Sequence, residues 1–335
     1  MIKNKKILSI CTTAFFNDRG CHIRILKVLK YLTENGNDVQ VVAYFFGRNP
    51  DNFKIERIKK FLKEFDPIGF NPYKFIFDFQ IFLLSMRLLK KQNYDYILAF
   101  THEAGIVAFF LKLILKKPYI LDYQGSLSGE LSSSSFIFKI SPISSIIKIV
   151  ERLVERNSSY VIYNTYFNFK NSSVVKKYFF DDLFDFFDSE IENSIDSSKM
   201  IRVVWVGVNT KIQNLSGFLD IVERTVKTRK DIIFEIITFP VYKRNVERFL
   251  NFSDRIFFHQ KIPFEKLPYF LSKADICVST KLDSTEGSGK LHMFKKYCKN
   301  IISLDSKISR ELLEKKDIAK DMKEIEKRIL EFSKC

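Results

Sequence analysis

Residues Ala274–Cys298 read ADICVSTKLDSTEGSGKLHMFKKYC. A short apolar run, Asp275–Ser279, passes into a polar loop that ends in Glu286, Gly287, Ser288, Gly289 and Lys290. Apolar residues then recur at helical spacing: Leu291, Met293, Phe294 and Tyr297. Strand, glycine turn and helix in that order predict a βα unit with the helix N-terminus at the turn. Unpaired backbone N–H groups gather at such a turn with the positive end of the helix dipole, and together they suit a phosphate group. Glu286 on one side can meet a sugar hydroxyl, and Lys290 on the other can meet a departing phosphate.

The same alternation runs along the rest of the chain. Lys6–Thr12 reads as a strand. Cys21–Asn35 reads as a helix with Ile23, Leu26, Leu29 and Leu32 on one stripe, closed by Gly36. Val39–Phe45 is the next strand, followed by two helical segments and then by strand Tyr94–Phe100, helix Glu103–Leu115, strand Tyr119–Tyr123, helix Ser144–Arg156 and strand Tyr160–Tyr163. Several of these strands are apolar on both faces, as parallel strands covered by helices are. Asp181–Lys199, DDLFDFFDSEIENSIDSSK, breaks the pattern and reads as a linker. The alternation restarts at Ile201 and ends in a charged helical run, Ser309–Ser333. The expected fold class is α/β, with two doubly wound Rossmann-like domains, 1–180 and 200–335, facing across a cleft. The length of 335 residues suits two domains of about 150 residues each.

Lys and Arg number 55 against 39 Asp and Glu, a formal charge of +16. Such an excess favours an anionic partner, although the abundance of Lys, Ile, Asn and Phe also matches AT-rich codon usage. Nucleic acid is not that partner, since no zinc-ligand spacing or RNA-binding aromatic motif occurs. The five cysteines, Cys11, Cys21, Cys277, Cys298 and Cys335, form no C-x-x-C pair and predict reduced thiols in a cytoplasmic chain. No apolar stretch reaches the ~18 residues of a spanning helix. The N-terminal residues lack a small-residue cleavage site and read as a first strand, not a signal peptide.

No G-x-G-x-x-G follows the first strand, which argues against a nicotinamide-binding domain. No D-x-D occurs, and the four histidines are dispersed, so neither a metal site nor a cofactor is expected. Diphosphate charge is instead left to lysines and helix N-termini. Other candidates stand at predicted strand ends. Gly20 opens the first helix. His102 and Glu103 follow strand Tyr94–Phe100, and Asp122 and Gln124 end strand Tyr119–Tyr123. Gly207, Lys211 and Gln213 follow strand Ile201–Val206. Convergence on strand ends groups the first five as acceptor-side residues and the last three as donor-binding ones.

Four blocks together resemble the GT-B fold glycosyltransferases of the large retaining family 4. They are KILSICTTAFFNDRGCHIRILKVLKYLTENGNDVQVV, YDYILAFTHEAGIVAFFLKLILKKPYILDYQGSLSGEL, RVVWVGVNTKIQNLSGFLDIV and FFHQKIPFEKLPYFLSKADICVSTKLDSTEGSGKLHMF. The resemblance implies that Glu286 contacts the donor sugar and that Gly287, Ser288, Gly289 and Lys290, with the N–H of Leu291, line its diphosphate. The family's second glutamate, which holds the ribose, falls on Phe294. Its basic pair falls on Val208 and Gln213, and its cleft histidine near Gln124.

The expected activity is retaining, metal-independent transfer of a hexosyl group from a nucleotide sugar to a surface-polysaccharide or lipid-linked acceptor, as in lipopolysaccharide biosynthesis. Catalysis falls to Glu286 and Lys290. The departures favour an alternative, a catalytically weakened partner subunit or glycan-binding module. An epimerase or phosphorylase of the same architecture is a third reading. An anionic membrane surface is a further expected partner, making the chain peripheral on the inner face of the cytoplasmic membrane. Tyr73–Gln92 and Phe136–Arg156 both carry apolar and basic residues at helical spacing. Packing on the sheet accounts for their apolar positions equally well, and the second segment is the one assigned to the membrane.

Overall fold

The computed structural model describes residues 2–18, 20–50, 53–60, 71–134, 138, 140–180, 200–260, 262–283 and 287–333. The linker 181–199 and Glu286 lie outside the described residues. The chain forms two compact units, Met1–Asp181 with Thr285–Gly287, and Asp182–Ser284 with Ser288–Cys335.

The first unit contains β1 (Lys6–Cys11), α1 (Gly20–Glu34), β2 (Asp38–Ala43), β3 (Lys54–Arg57), α2 (Tyr73–Lys91), β4 (Tyr96–Phe100) and α3 (Thr101–Leu115). It continues with β5 (Tyr119–Tyr123), α4 (Leu127–Ser134), α5 (Ser141–Asn157), β6 (Tyr160–Tyr163), α6 (Tyr166–Asn171) and β7 (Lys177–Phe179). All seven strands are parallel, in the order β3-β2-β1-β4-β5-β6-β7. The central strands are buried on both faces, from Ile7 to Cys11 in β1 and throughout β5, which is why their sequences are mostly apolar on both faces rather than alternating. Gly36, at φ +79°, turns the chain out of α1.

The second unit holds β8 (Ile201–Val208), α7 (Leu215–Thr228), β9 (Ile232–Phe239), α8 (Lys243–Glu247), β10 (Ile256–His259) and α9 (Leu267–Ser272). Then follow β11 (Ile276–Ser279), α10 (Gly289–Tyr297), β12 (Ile301–Leu304), α11 (Lys307–Leu312), β13 (Ile318–Ala319) and α12 (Met322–Glu331). Its six strands are again parallel, ordered β10-β9-β8-β11-β12-β13. Trp205, Phe218 and Phe234 fill the core between β8, β9 and α7. Strand order reverses beside β1 in the first sheet and beside β8 in the second, and at such switch points loops diverge and leave room for a ligand.

Three sequence expectations are corrected. Between β2 and β4 stands an edge strand, β3, that the sequence reading did not foresee, followed by α2: KIER pairs with β2, its charged residues suit an exposed edge, and residues 61–70 lie outside the described residues. The C-terminal run is interrupted, because Lys315–Asp317 turns into β13 and Asp321 then caps α12 by accepting from the Glu324 N–H at 2.8 Å. Finally, Cys277 and Cys298 are joined in a disulfide, their Cα atoms 6.2 Å apart. The loop and α10 return the chain to the side of β11, a proximity that a separation of 21 residues does not announce.

Candidate functional site

The loops after β8 and β11 flank the switch point of the second sheet, and they are zipped together. The Thr280 hydroxyl accepts from the Trp205 indole at 2.9 Å and donates to the Gln213 carbonyl at 2.9 Å. The Leu282 N–H donates to the Ile212 carbonyl at 2.8 Å. Gly207 has no side chain for a steric reason: a Cβ there would stand 2.8 Å from the Trp205 ring and 3.2 Å from the Gln213 side-chain oxygen. These contacts fix the indole and the Gln213 amide as one wall.

Lys290, in the first turn of α10, reaches that wall. Its ammonium donates to the Gln213 oxygen at 2.7 Å and to the Val206 carbonyl at 3.2 Å, and lies 5.4 Å from the centre of the Trp205 ring. Burial pushes its pKa down to about 7, and the nearby Lys281 charge pushes the same way. Lys281 is itself only 7% exposed. Lys290, drawn inward beside a helix N-terminus with Lys281 nearby, carries a charge that burial makes costly and that an arriving anion would stabilise.

At the helix mouth, Ser288 occupies the cap position without a side-chain cap bond, and its carbonyl accepts from the Leu291 N–H at 2.9 Å. Leu291 is therefore engaged within its own turn, leaving Gly289 and Lys290 as the N–H groups at the mouth. Gly287 leads into the cap, and Lys211 is exposed in the β8–α7 loop. Phe294, where the resembled family has its ribose-holding glutamate, is fully buried in the core. Lys281, Thr280 and Trp205 complete this site without having been singled out from sequence. The available signal was Lys281 itself, a lysine two residues past a buried strand.

In the first unit, the acceptor-side candidates fall into separate clusters. Asp122 is fully buried and accepts from Arg24 at 2.6 Å and from the Gln124 amide at 2.9 Å. His102 is buried with its ring nitrogens 3.1 Å from the Gly125 carbonyl and 3.1 Å from Glu155. Glu103 takes both carboxylate oxygens to 2.6 Å from the Lys74 ammonium. Near that pair, Asp78 accepts from the Tyr44 hydroxyl at 2.6 Å. Burial lifts the Asp78 carboxyl to about 7, the Glu103 charge adds to the rise, and Tyr44 and Lys74 pull against it. Gly20 opens α1 with empty space where a Cβ would stand.

No family model matches the chain, and no curated protein is similar to it in sequence. Solved structures do share its fold. Sucrose-phosphate synthase from Thermosynechococcus elongatus superposes with a TM-score of 0.76 at 14% identity, over 97% of this chain and 88% of that one. Anabaena Alr3699/HepE, in complex with UDP-glucose, gives 0.69 at 14% identity over 97% and 88%. The S. aureus MnaA–UDP co-structure gives 0.55 at 15% identity over 90% and 78%. Identity this low speaks for architecture alone, and the architecture is the GT-B fold, built here from two parallel Rossmann-like sheets of seven and six strands.

Proposed function

We propose that the protein is a nucleotide-sugar-dependent glycosyltransferase, with the donor diphosphate seated at the mouth of α10. The observation that carries this reading is the inward-drawn Lys290, held against Gln213 with Lys281 nearby at the switch point of the second sheet. Such a group of cations and helix N–H donors matches a leaving diphosphate. Structures of the same fold that were solved with UDP-glucose and with UDP support the ligand class.

In the proposed reaction the bond between the sugar's anomeric carbon and the diphosphate oxygen breaks as an acceptor hydroxyl bonds to that carbon from the same face. The hydroxyl proton passes to the departing phosphate oxygen. Anomeric configuration is retained, and no strong protein base is needed. Lys290 and the Gly289 and Lys290 N–H groups stabilise the charge that develops on the diphosphate, and Glu286 orients the sugar. The acceptor, a surface polysaccharide or lipid-linked saccharide, belongs to the first unit.

A second reading, a partner subunit that does not catalyse, draws on Phe294: a fully buried phenylalanine offers nothing to a ribose. One experiment separates the two. Thermal shifts are measured against a panel of nucleotide sugars, and any hit is followed for release of nucleoside diphosphate in the presence of saccharide acceptors. Stabilisation with release supports transfer. Stabilisation without release favours the partner subunit, and no stabilisation by any nucleotide sugar overturns the donor-site assignment.

A further inference from the structure

Three neighbouring helices of the first unit share an unusual division of their side chains. α3 packs against both α2 and α5, so the three lie side by side on the sheet. On α2 the outward stripe runs at four-residue spacing through Phe75, Phe79 and Leu83 and continues through Arg87 and Lys91. Phe75 is 68% exposed and Phe79 60%. On α3 the outward residues are Phe110, Leu113 and Ile114, each more than half exposed. On α5 two stripes run in parallel: Ile146, Ile149 and Leu153, and beside them Lys148, Arg152 and Arg156, all exposed.

Every carboxylate on these helices faces the other way. Asp78 bonds to Tyr44, Glu103 to Lys74, Glu151 to Ser126 and Glu155 to His102. The exposed charged residues of α2 and α5 are therefore cationic only, and α3 exposes no charged residue. Each helix leads directly into a strand of one parallel sheet, so their C-terminal ends lie along one edge. The basic residues of α2 gather at that edge, and a shallow depression of about 440 Å³ there is lined by Leu83, Met86, Arg87, Lys90 and Lys91.

We infer that this three-helix face docks on an anionic lipid bilayer, with its aromatic and aliphatic residues at the headgroup boundary and its basic stripes against phosphates. A large exposed apolar patch calls for a partner, and the one-sided charge says which. A second copy of the same face would bring like cations together, a repulsive arrangement for a two-fold interface. A bilayer meets both features at once. No helix among the described residues is long and apolar enough to cross a membrane, so the contact is peripheral. The inference stands on the surface of the first unit and does not depend on the donor-site reading.

Flotation of the purified full chain with vesicles tests it. The comparison is between equal parts phosphatidylglycerol and phosphatidylcholine and phosphatidylcholine alone, at low and high salt. Recovery is expected on the anionic vesicles only, reduced by salt. The triple substitution Lys148→Ala, Arg152→Ala, Arg156→Ala should weaken partitioning roughly a hundredfold, since each basic residue near an anionic surface contributes about a factor of five. Ile149→Ser with Leu113→Ser should reduce recovery at high salt, where the apolar contact dominates. These positions are exposed, and an unchanged melting temperature confirms that the variants fold. Failure to float, or equal recovery on neutral vesicles, overturns the inference, as does a dimer in light scattering that the same substitutions abolish. Thermal shifts by nucleotide sugars report on the second unit separately, so neither result decides the other.

Discussion

Lys290 and Gln213 stand 77 residues apart in sequence, and the Lys290 ammonium donates to the Gln213 side-chain oxygen at 2.7 Å. Burial works against the lysine's charge, and this neutral acceptor and the Val206 carbonyl are the partners the fold gives it. A cation held this way is poised for an incoming anion, because a diphosphate supplies the compensation that an amide cannot.

Replacing Lys290 with alanine should therefore cut transfer severely while the fold persists. Loss of one preorganised electrostatic contact to a leaving group costs about 3 kcal/mol of transition-state stabilisation, or roughly a hundredfold in kcat. Steady-state kinetics check it, with circular dichroism for the fold. Activity within a few-fold of wild type would remove Lys290 from the mechanism.

Glu286→Gln separates the two halves of the donor. Its carboxylate is assigned to the sugar, so transfer should fall while free nucleoside diphosphate binds nearly as before. Calorimetric titration of the diphosphate alongside kinetics decides it. Lost diphosphate binding in a folded variant would show that the carboxylate serves the phosphates instead.

Donor binding should depend on pH through Lys290. The free site titrates near 7, and a bound diphosphate raises that value, so binding above neutrality takes up a proton. The diphosphate of a nucleotide sugar is esterified at both ends and keeps constant charge in this range. Affinity should thus fall as pH rises above 7, by up to about tenfold per unit. In the empty protein, the lowered lysine pKa contributes stability that is full above about pH 10.5 and is lost as pH falls to about 7. Lys290→Met should bind weakly and without this slope. A wild-type affinity flat from neutral to alkaline pH would mean that the ammonium does not meet the diphosphate.

The start of α10 at Gly289 was legible because glycine chemistry and helical periodicity are local, and the doubly wound order followed from apolar runs that only buried parallel strands need. What sequence could not carry was lateral: which loops lie side by side. Lys281 acquires meaning only when β8 and β11 pair, and Leu291 loses its assigned N–H only when the first turn closes on Ser288. The Cys277–Cys298 bond escaped for the same reason, since the return path of α10 sets it. Polar residues at strand ends were found as a class, but Asp122 and His102 turn out to be engaged by Arg24 and Glu155, partners distant in sequence.

Asp78 should make the stability of the first unit depend on pH. Its folded pKa is raised from the ordinary carboxylate range to about 7. The stability it contributes is full below about pH 4 and is lost as pH rises to about 7, where the folded state must release its proton. Asp78→Asn removes that slope and keeps an acceptor for the Tyr44 hydroxyl. Relative to wild type, the variant should gain about 4 kcal/mol between pH 4 and pH 8, an upper estimate from the size of the shift. Urea unfolding at both ends of the range tests it. Parallel wild-type and variant profiles would mean that Asp78 stays ionised throughout.

Reduction should loosen the second unit and its site together. The Cys277–Cys298 bond closes a loop of 21 residues, and a cross-link of that length stabilises by about 3 kcal/mol through the unfolded chain. A reductant should then lower the melting temperature by about 8 °C in a domain of this size, and Cys298→Ser should melt at the reduced value with or without reductant. The bond also joins the strand that leads to Lys281 to the far end of α10, the helix whose first turn carries Lys290. Donor affinity should therefore fall on reduction, while the pH response assigned to Asp78 in the other unit stays as it was. Alkylation under non-reducing denaturation, read by mass spectrometry, gives the oxidation state directly. If both cysteines label and reductant moves neither melting temperature nor affinity, the two thiols are neighbours without being a tie.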